Sequence, residues 1–280
     1  MIKSIILALR PKQWIKNLLV AAAPLAAGEI QENVLPVVVG IFGFICASIL
    51  GYVINDWLDR DFDRLHATKK NRPFASGELG LISLLSIVLS CIVGALTSAY
   101  FLPPKYLSIL GIYFVVTVLY SIIIKHQPVV EMLWLSSSFL IRAIAGSTII
   151  SKSPTGWFLI CVFFGALFVV STKRLAEFKS PEGRVTREVL KSYSMNYLQT
   201  ISTTSLTITT ITYALWAFDM ETNKVIAQIS ILPFVTSLYL YSLQSESDDA
   251  QRPEDLLFRS PAFIFSALLT IFCLVLVFYK

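Results

Sequence analysis

The sequence is poor in charged residues, and this shortage argues against a soluble protein. Only 15% of its 280 residues are Asp, Glu, Lys or Arg, whereas 55% are hydrophobic. Soluble domains carry roughly 25% charged residues, so the chain lacks the polar surface that would keep it in water. Apolar runs recur along the whole chain and leave no room for a separate soluble domain. We therefore predict a single membrane domain over residues 1–280.

Histidine and cysteine, which build many catalytic and metal sites, are also scarce. The chain has only two histidines and four cysteines. All four cysteines fall inside apolar runs, at spacings that suit neither a disulfide framework nor a zinc site. We therefore expect the cysteines to pack in the core, and we expect no histidine to act as a catalytic base.

Long apolar runs are what the chain has in abundance. Each run is near the roughly 20 residues that a helix needs to cross the hydrocarbon of a bilayer. Continuous runs predict helices, because the strands of a membrane barrel alternate apolar and polar residues. The sequence therefore predicts an all-α integral membrane protein, a bundle of about nine transmembrane helices. The predicted spans are residues 15–29, 34–54, 81–102, 106–124, 128–150, 155–172, 197–218, 225–244 and 261–279.

The Lys and Arg residues are unevenly divided between the two sides of these spans. With the N-terminus inside, 18 of the 23 lie in inside segments and four in outside segments, while Arg142 lies within a span. Cytoplasmic loops of membrane proteins carry such an excess. We predict a multi-pass protein of the plasma membrane with a cytoplasmic N-terminus. The net charge of +5 reflects this topology, a site for anionic substrates or both, and it requires no nucleic acid.

An acidic motif ends the second apolar run. If the helix continues beyond the hydrocarbon, Asn55, Asp59 and Asp63 stack on one face at intervals of four residues, and Asp56 joins them. Neighbouring carboxylates repel each other, so a cation would stabilise the arrangement. Hard oxygen ligands suit Mg²⁺, which shares its coordination shell with water and substrate phosphates. The alternative is a solvated helix end whose acids pair with neighbouring arginines; Asp61 points off the main face in either case.

Cationic and polar residues gather at the predicted inside ends of the spans. They are candidates for binding phosphates, and arginine can do so through two parallel N–H groups. The alternatives are lysines that extend to the membrane interface and a basic N-terminal anchor. The candidates are Lys16, Asn17, Lys70, Arg72, Tyr120, Lys125, Lys173, Arg174, Glu177 and Arg187.

The fifth apolar run contains two ionisable residues. Glu131, Ser138 and Arg142 are spaced by seven and four residues and therefore share one helix face. Burying an ionised side chain near the middle of the membrane costs roughly 2.5–3.5 kcal/mol on insertion scales. Glu131 and Arg142 must therefore face the bundle interior or a wet cavity. A functional site and a structural interhelical pair are both open.

These motifs resemble the UbiA superfamily of membrane prenyltransferases. The pattern Asn-Asp-x-x-Asp-x-x-x-Asp of residues 55–63, after the second of about nine spans, is similar to the signature of that family. The resemblance extends over essentially the whole chain and is strongest to the decaprenyl-phosphate phosphoribosyltransferase branch. The segments that carry it are residues 10–17, 70–73, 120–125, 142–146, 173–177 and 253–257, with Arg187 and Tyr193.

The resemblance implies a particular pair of substrates. Members of this branch transfer the 5-phosphoribosyl group from 5-phosphoribosyl 1-pyrophosphate to a polyprenyl phosphate, with Mg²⁺ as cofactor. The metal ligands would be Asn55 and the catalytic residues Asp56, Asp59 and Asp63. The donor phosphates would be bound by Lys70, Arg72, Tyr120 and Lys125. Either the 5-phosphate or the lipid phosphate would be held by residues of the set Lys16, Arg142, Lys173, Arg174 and Arg187, and Asn17 and Glu177 would be further substrate-binding residues.

Two other functions stay open at this point. Ordinary members of the family resemble one another in a second Asp-rich motif after the sixth span, where this chain has Lys173 to Glu177. This difference disfavours a conventional prenyltransferase, which would join a prenyl diphosphate to an aromatic or quinone-type acceptor. A transporter or lipid-binding protein is the second alternative. Transporters often contain inverted repeats, and the sequence has no evident internal repeat.

Overall fold

All regular secondary structure in the described part of the chain is helical. The computed structural model describes residues 2–65, 69–180, 187–245 and 260–278. These residues form no β-strand, which confirms the all-α prediction. Their α-helices are α1 (Ile2–Leu9), α2 (Ala22–Ala26), α3 (Val34–Leu58), α4 (Arg60–Arg64), α5 (Leu81–Tyr100), α6 (Pro104–Ile122), α7 (Val130–Ile149), α8 (Gly156–Lys179), α9 (Met195–Asp219), α10 (Lys224–Ile229), α11 (Ile231–Ser245) and α12 (Pro261–Phe278). The 3₁₀ helices are Pro11–Ala21, Lys69–Asn71, Ile124–His126 and Glu188–Ser192.

Seven helical segments of the described chain are long and apolar enough to cross a membrane. They are α3, α5, α6, α7, α8, the consecutive helices α10 and α11 taken together, and α12. Two predicted spans differ from this set. The first consists of a 3₁₀ helix and the short α2, and the seventh is α9, whose 25 residues include many Ser and Thr. The chain is thus a multi-pass helical membrane protein, as predicted.

The first half of the predicted first span is a 3₁₀ helix that packs closely on α7. Pro24 has no N–H and therefore cannot donate a helical hydrogen bond to the carbonyl of Val20. That carbonyl lies against α7 at Gly146, where an added Cβ would stand 1.9 Å from the oxygen. The missing side chain of Gly146 therefore lets the backbone of the 3₁₀ helix Pro11–Ala21 contact α7 directly.

We expect Gly146→Ala to lower the free energy of unfolding by about 1–3 kcal/mol, because the added methyl group overlaps a backbone atom that has little room to move. Gly111→Ala is the matched control, since a Cβ at this α6 position meets nothing within 4 Å. Alanine favours a helix over glycine, so the control should keep or raise stability. Thermal unfolding in detergent measures both variants. Equal stability of the two would contradict the close contact.

The long helices place the charged motifs at one end of the bundle. We call this the charged end; α3, α6 and α8 finish there, and α5, α7 and α9 begin there. The 3₁₀ helix Pro11–Ala21 packs with α3 and α7, and α6 packs against the same two helices. An aromatic core between α3 and α6 joins Phe44 to Tyr106 and Tyr113, with ring centroids 5.9 and 5.1 Å apart. These four segments therefore pack together as one group within the bundle.

Two helices begin at residues that sequence rules favour. The Thr155 hydroxyl accepts a hydrogen bond from the backbone N–H of Phe158 at the start of α8, at 3.3 Å. Ser194 does the same for the N–H of Tyr197 at the start of α9, at 3.2 Å. Such caps satisfy a backbone donor that has no partner within the helix. They help to set where α8 and α9 begin.

Candidate active site

Two aspartates of the acidic motif converge on one arginine. Asp56 and Asp63 are buried, and each accepts a hydrogen bond from Nη1 of Arg72, at 3.0 and 2.8 Å. Nη2 of Arg10 donates to both carboxylate oxygens of Asp56, at 2.6 and 2.8 Å. Hydrogen bonds between charged groups are stronger than neutral ones. Because both carboxylates accept from Nη1 of Arg72, they face a common point at the charged end.

Of the other two motif residues, Asn55 contacts Asp59, and Asp59 contacts a lysine from the 3₁₀ helix Ile124–His126. Nδ2 of Asn55 donates to a carboxylate oxygen of Asp59 at 3.1 Å. Nζ of Lys125 lies 3.4 Å from both oxygens of the same carboxylate. Helix α3 ends at Leu58, and Asp59, with a ψ of −1°, leads into α4. The row of motif side chains is therefore divided into two pairs, Asp56 with Asp63 and Asn55 with Asp59.

Asp61 pairs with the neighbouring arginines, as the alternative explanation of the acidic motif expects. This exposed carboxylate lies 3.0 Å from Nη1 of Arg64 and 3.7 Å from Nη2 of Arg60. The Asp61 side chain is 63% exposed, whereas Asp56 and Asp63 are buried. Asp61 is therefore a suitable control for experiments on the motif.

The side chains of the acidic motif provide the kind of oxygen atoms that bind a divalent cation. Among the described residues, no group of three or more His, Cys, Asp or Glu side chains is arranged as a metal site. Asp56 and Asp63 nevertheless direct oxygens to a single positively charged nitrogen. Mg²⁺ is commonly held by one or two carboxylates together with substrate phosphates, so this pair provides suitable oxygens. That Asn55, Asp56, Asp59 and Asp63 all ligate the ion stays a prediction.

A second charged cluster joins α6, α7 and α8 at the charged end. Glu131 and Arg174 are fully buried and form a bidentate pair, with N–O distances of 2.7 and 2.8 Å. Arg174 also donates to Glu177 at 2.7 Å, and Arg187 lies 3.2 Å from the same carboxylate. The Tyr120 hydroxyl accepts from both arginines at 3.3 Å. Glu131 on α7 and Arg174 on α8 therefore form an interhelical ion pair, which is one of the two roles that the sequence left open for Glu131.

A third polar cluster lies inside the bundle around Arg142. Its Nε donates to Oδ1 of Asn17 at 2.9 Å and its Nη2 to the Tyr113 hydroxyl at 2.6 Å. Nη1 donates to the backbone carbonyl of Ser138 at 2.8 Å. The Ser48 hydroxyl lies 3.1 Å from Oδ1 of Asn17 and 3.0 Å from the Tyr113 hydroxyl. We call these five residues the Arg142 cluster; the structure brings together Asn17 and Arg142, two predicted substrate residues.

The polar residues of α3, α6 and α7 lie at two depths. Residues seven positions apart share a helix face and are separated by about 10 Å along the axis. On each helix, one residue of such a pair is at the charged end and the other belongs to the Arg142 cluster. The pairs are Asn55 and Ser48 on α3, Tyr120 and Tyr113 on α6, and Glu131 and Ser138 on α7.

The remaining predicted residues lie around these clusters. Nζ of Lys16 donates to Oε1 of Gln13 at 2.9 Å. Lys70 is exposed, and Lys173 is half-buried near the end of α8. The branch segment at residues 253–257 lies outside the described residues. The binding roles of these three lysines, like those of the other predicted substrate residues, stay predictions.

Sequence reasoning missed three contributors to the site. Arg10 was identified only as part of a family segment, yet it holds Asp56. Ser48 and Tyr113 were not candidates, because a serine and a tyrosine in an apolar run are common. Their spacing of seven residues from Asn55 and Tyr120 is the signal that could have found them.

Solved structures share this helical architecture. A UbiA homologue from Archaeoglobus fulgidus bound to GPP and Mg²⁺ superposes with a TM-score of 0.73 at 18% identity, covering 97% of this chain and 99% of that one. A digeranylgeranylglyceryl phosphate synthase gives a TM-score of 0.64 at 16% identity, covering 99% and 98%. At these identities the likeness shows the fold alone.

Sequence comparison shows the family. The profile described as the UbiA prenyltransferase family matches residues 18–267. The decaprenyl-phosphate phosphoribosyltransferase of Corynebacterium glutamicum is 34% identical over 97% of this chain and 86% of that protein. The protein of the same name from Mycobacterium tuberculosis is 35% identical over 92% of this chain and 89% of its own length. The chain belongs to the UbiA prenyltransferase family, and it is a transferase.

Proposed function

We propose that this protein transfers a 5-phosphoribosyl group from 5-phosphoribosyl 1-pyrophosphate to a polyprenyl phosphate of the decaprenyl type, with Mg²⁺ as cofactor and release of pyrophosphate. The observation that carries the proposal is the similarity to phosphoribosyltransferases of this name over nearly the whole length of both chains. The charges of the site agree with it. Both substrates are anions, and four cations that are distant in the chain, Arg10, Arg72, Lys125 and Arg174, lie at the charged end.

The acidic motif would bind the pyrophosphate end of the donor. Asp56 and Asp63 would hold Mg²⁺ with Asn55 and Asp59, and the bound ion would neutralise the charge that develops on the departing pyrophosphate. Arg72 already lies between the two aspartates and can turn from them to a phosphate oxygen. A guanidinium group binds phosphate oxygens through parallel N–H groups.

The acceptor needs no catalytic base. A phosphate monoester carries a charge of about −1.5 to −2 at pH 7, so its oxygen is already a nucleophile. That oxygen would bond to C1 of the ribose while the bond from C1 to the pyrophosphate oxygen breaks. Lys125 and Tyr120 lie at the charged end and would reduce the repulsion between the two anions. The scarcity of histidine is consistent with this chemistry.

The excess of Lys and Arg in alternate loops supports a cytoplasmic position for the charged end in the plasma membrane. The water-soluble donor would then enter from the cytoplasm. The polyprenyl chain of the acceptor would remain in the hydrocarbon and approach between helices.

Transfer of label tests the proposed reaction. Purified protein in lipid is given Mg²⁺, polyprenyl phosphate and radiolabelled 5-phosphoribosyl 1-pyrophosphate. We expect label in the lipid phase, none without the polyprenyl phosphate, and none after chelation of Mg²⁺ by EDTA. Absence of transfer, together with consumption of a prenyl diphosphate and an aromatic acceptor, would contradict the proposal and favour a conventional prenyltransferase.

A further inference from the structure

The Arg142 cluster holds a buried positive charge that no carboxylate of the described residues balances. Arg142 is 3% exposed, and none of the ion pairs among the described residues includes it. Its neighbours are neutral: hydrogen-bond acceptors, and the rings of Tyr113 and Phe139 at 4.6 and 5.3 Å. Burying an unpaired charge is unfavourable, and neutral acceptors offset this desolvation cost only in part. The guanidinium therefore favours an anion.

Unused hydrogen-bond donors lie beside this charge. Nδ2 of Asn17 is fully buried and has no hydrogen-bond partner within the described ranges, although Oδ1 of the same amide accepts from Arg142. Arg142 itself makes four hydrogen bonds, while a guanidinium has five N–H groups. A buried donor without a partner is costly, so the cluster is suited to an acceptor that brings several oxygens.

We infer that the Arg142 cluster binds the 5-phosphate of the donor, an inference that rests on the proposed function. The cluster lies about 10 Å along α3 from the metal-binding motif, since Ser48 precedes Asn55 by seven residues. In 5-phosphoribosyl 1-pyrophosphate, seven bonds separate the 5-phosphorus from the nearer pyrophosphate phosphorus. An extended chain lengthens by roughly 1.2 Å per bond, so these two phosphorus atoms lie about 8 Å apart. One donor molecule can therefore reach both sites.

The acceptor phosphate fits the cluster less well. In the reaction the acceptor phosphate bonds to C1 of the ribose. Only four bonds then separate its phosphorus from the nearer phosphorus of the departing pyrophosphate. At roughly 1.2 Å per bond, these two atoms lie about 5 Å apart. Asn17 and Ser48 are almost completely enclosed by protein, at 0% and 1% exposure. A phosphate attached to a polyprenyl chain would need an open path to the hydrocarbon.

Asn17→Asp is the sharpest test. The change keeps size and shape, retains an oxygen for Nε of Arg142, and places a carboxylate where the 5-phosphate would lie. We expect KM for 5-phosphoribosyl 1-pyrophosphate to rise about 10- to 100-fold, and the inhibition constant of ribose 5-phosphate to rise similarly. KM for polyprenyl phosphate should stay within about twofold. The melting temperature should hold or rise, because the introduced carboxylate balances Arg142.

Asn33→Asp is the matched control, since Asn33 lies at the opposite end of the bundle and its Nδ2 donates to the carbonyl of Glu29. It should change none of these values. Should Asn17→Asp fail to fold, the same measurements are made on Tyr113→Phe, which removes a hydroxyl that contacts Arg142. A rise in KM for polyprenyl phosphate alone, or unchanged donor values in a folded variant, would overturn the inference.

Ribose 5-phosphate separates this inference from the proposed function. If the wild-type protein transfers no label, the proposed function fails, and protection against thermal unfolding by ribose 5-phosphate still tests the cluster. Protection of the wild-type protein that is lost in Asn17→Asp would support a phosphate site there. No protection of either protein would overturn the inference as well.

Discussion

Asp56→Asn should lower kcat/KM for phosphoribosyl transfer by about 10²–10³-fold, the usual cost of removing one group that stabilises charge in a transition state. The change keeps the shape of a buried side chain but removes the negative charge that faces Arg10 and Arg72. The Mg²⁺ concentration for half-maximal activity should rise as well, because the proposed metal site loses one carboxylate. Initial rates over a series of Mg²⁺ concentrations measure both effects.

Asp61→Asn is the control for this variant. Asp61 belongs to the same motif, and its exposed side chain contacts Arg64 and Arg60 rather than the site. Exposed ion pairs contribute little, so the control should retain its activity and its Mg²⁺ requirement to within about twofold. Equal losses in the two variants, or an unchanged Mg²⁺ requirement in Asp56→Asn, would refute the metal assignment.

Glu131→Ala should lower the free energy of unfolding by about 3 kcal/mol. The variant leaves Arg174 buried between α7 and α8, and removing one partner of a buried pair costs about 3–5 kcal/mol. We expect the lower end of this range because Glu177 still accepts from Arg174 at 2.7 Å. Thermal or denaturant unfolding in detergent gives the value.

The double variant Glu131→Leu with Arg174→Met distinguishes the contribution of the ion pair from the cost of leaving one charge buried without its partner. Apolar residues of similar size often replace a buried ion pair without loss of stability, so the double variant should recover most of the loss. Glu29→Ala is the control at the opposite end, since its partner Lys152 is exposed and the loss should be below about 1 kcal/mol. A loss in Glu131→Ala no larger than in this control would contradict the buried pair.

The sequence indicates many of the site residues, but it does not show which acidic and basic side chains contact each other. Helical spacing brings Asn55 next to Asp59 and turns Asp61 away, because local geometry alone decides which residues share a face. The same rules also indicated cations near these acids. They could not show that Lys125 meets Asp59 whereas Arg174 meets Glu131. These choices depend on which helices are neighbours.

The amino-acid sequence by itself determined the helical membrane fold and the accumulation of charge at one end, because the length of apolar runs, the positions of Lys and Arg and the helical period are local properties. The tertiary structure decided how residues distant in the chain combine. Arg10 reaches Asp56 across 46 positions, and Asn17 meets Arg142 across 125. The latter contact depends on the close approach of two backbones at Gly146, a packing property that no short segment of sequence specifies.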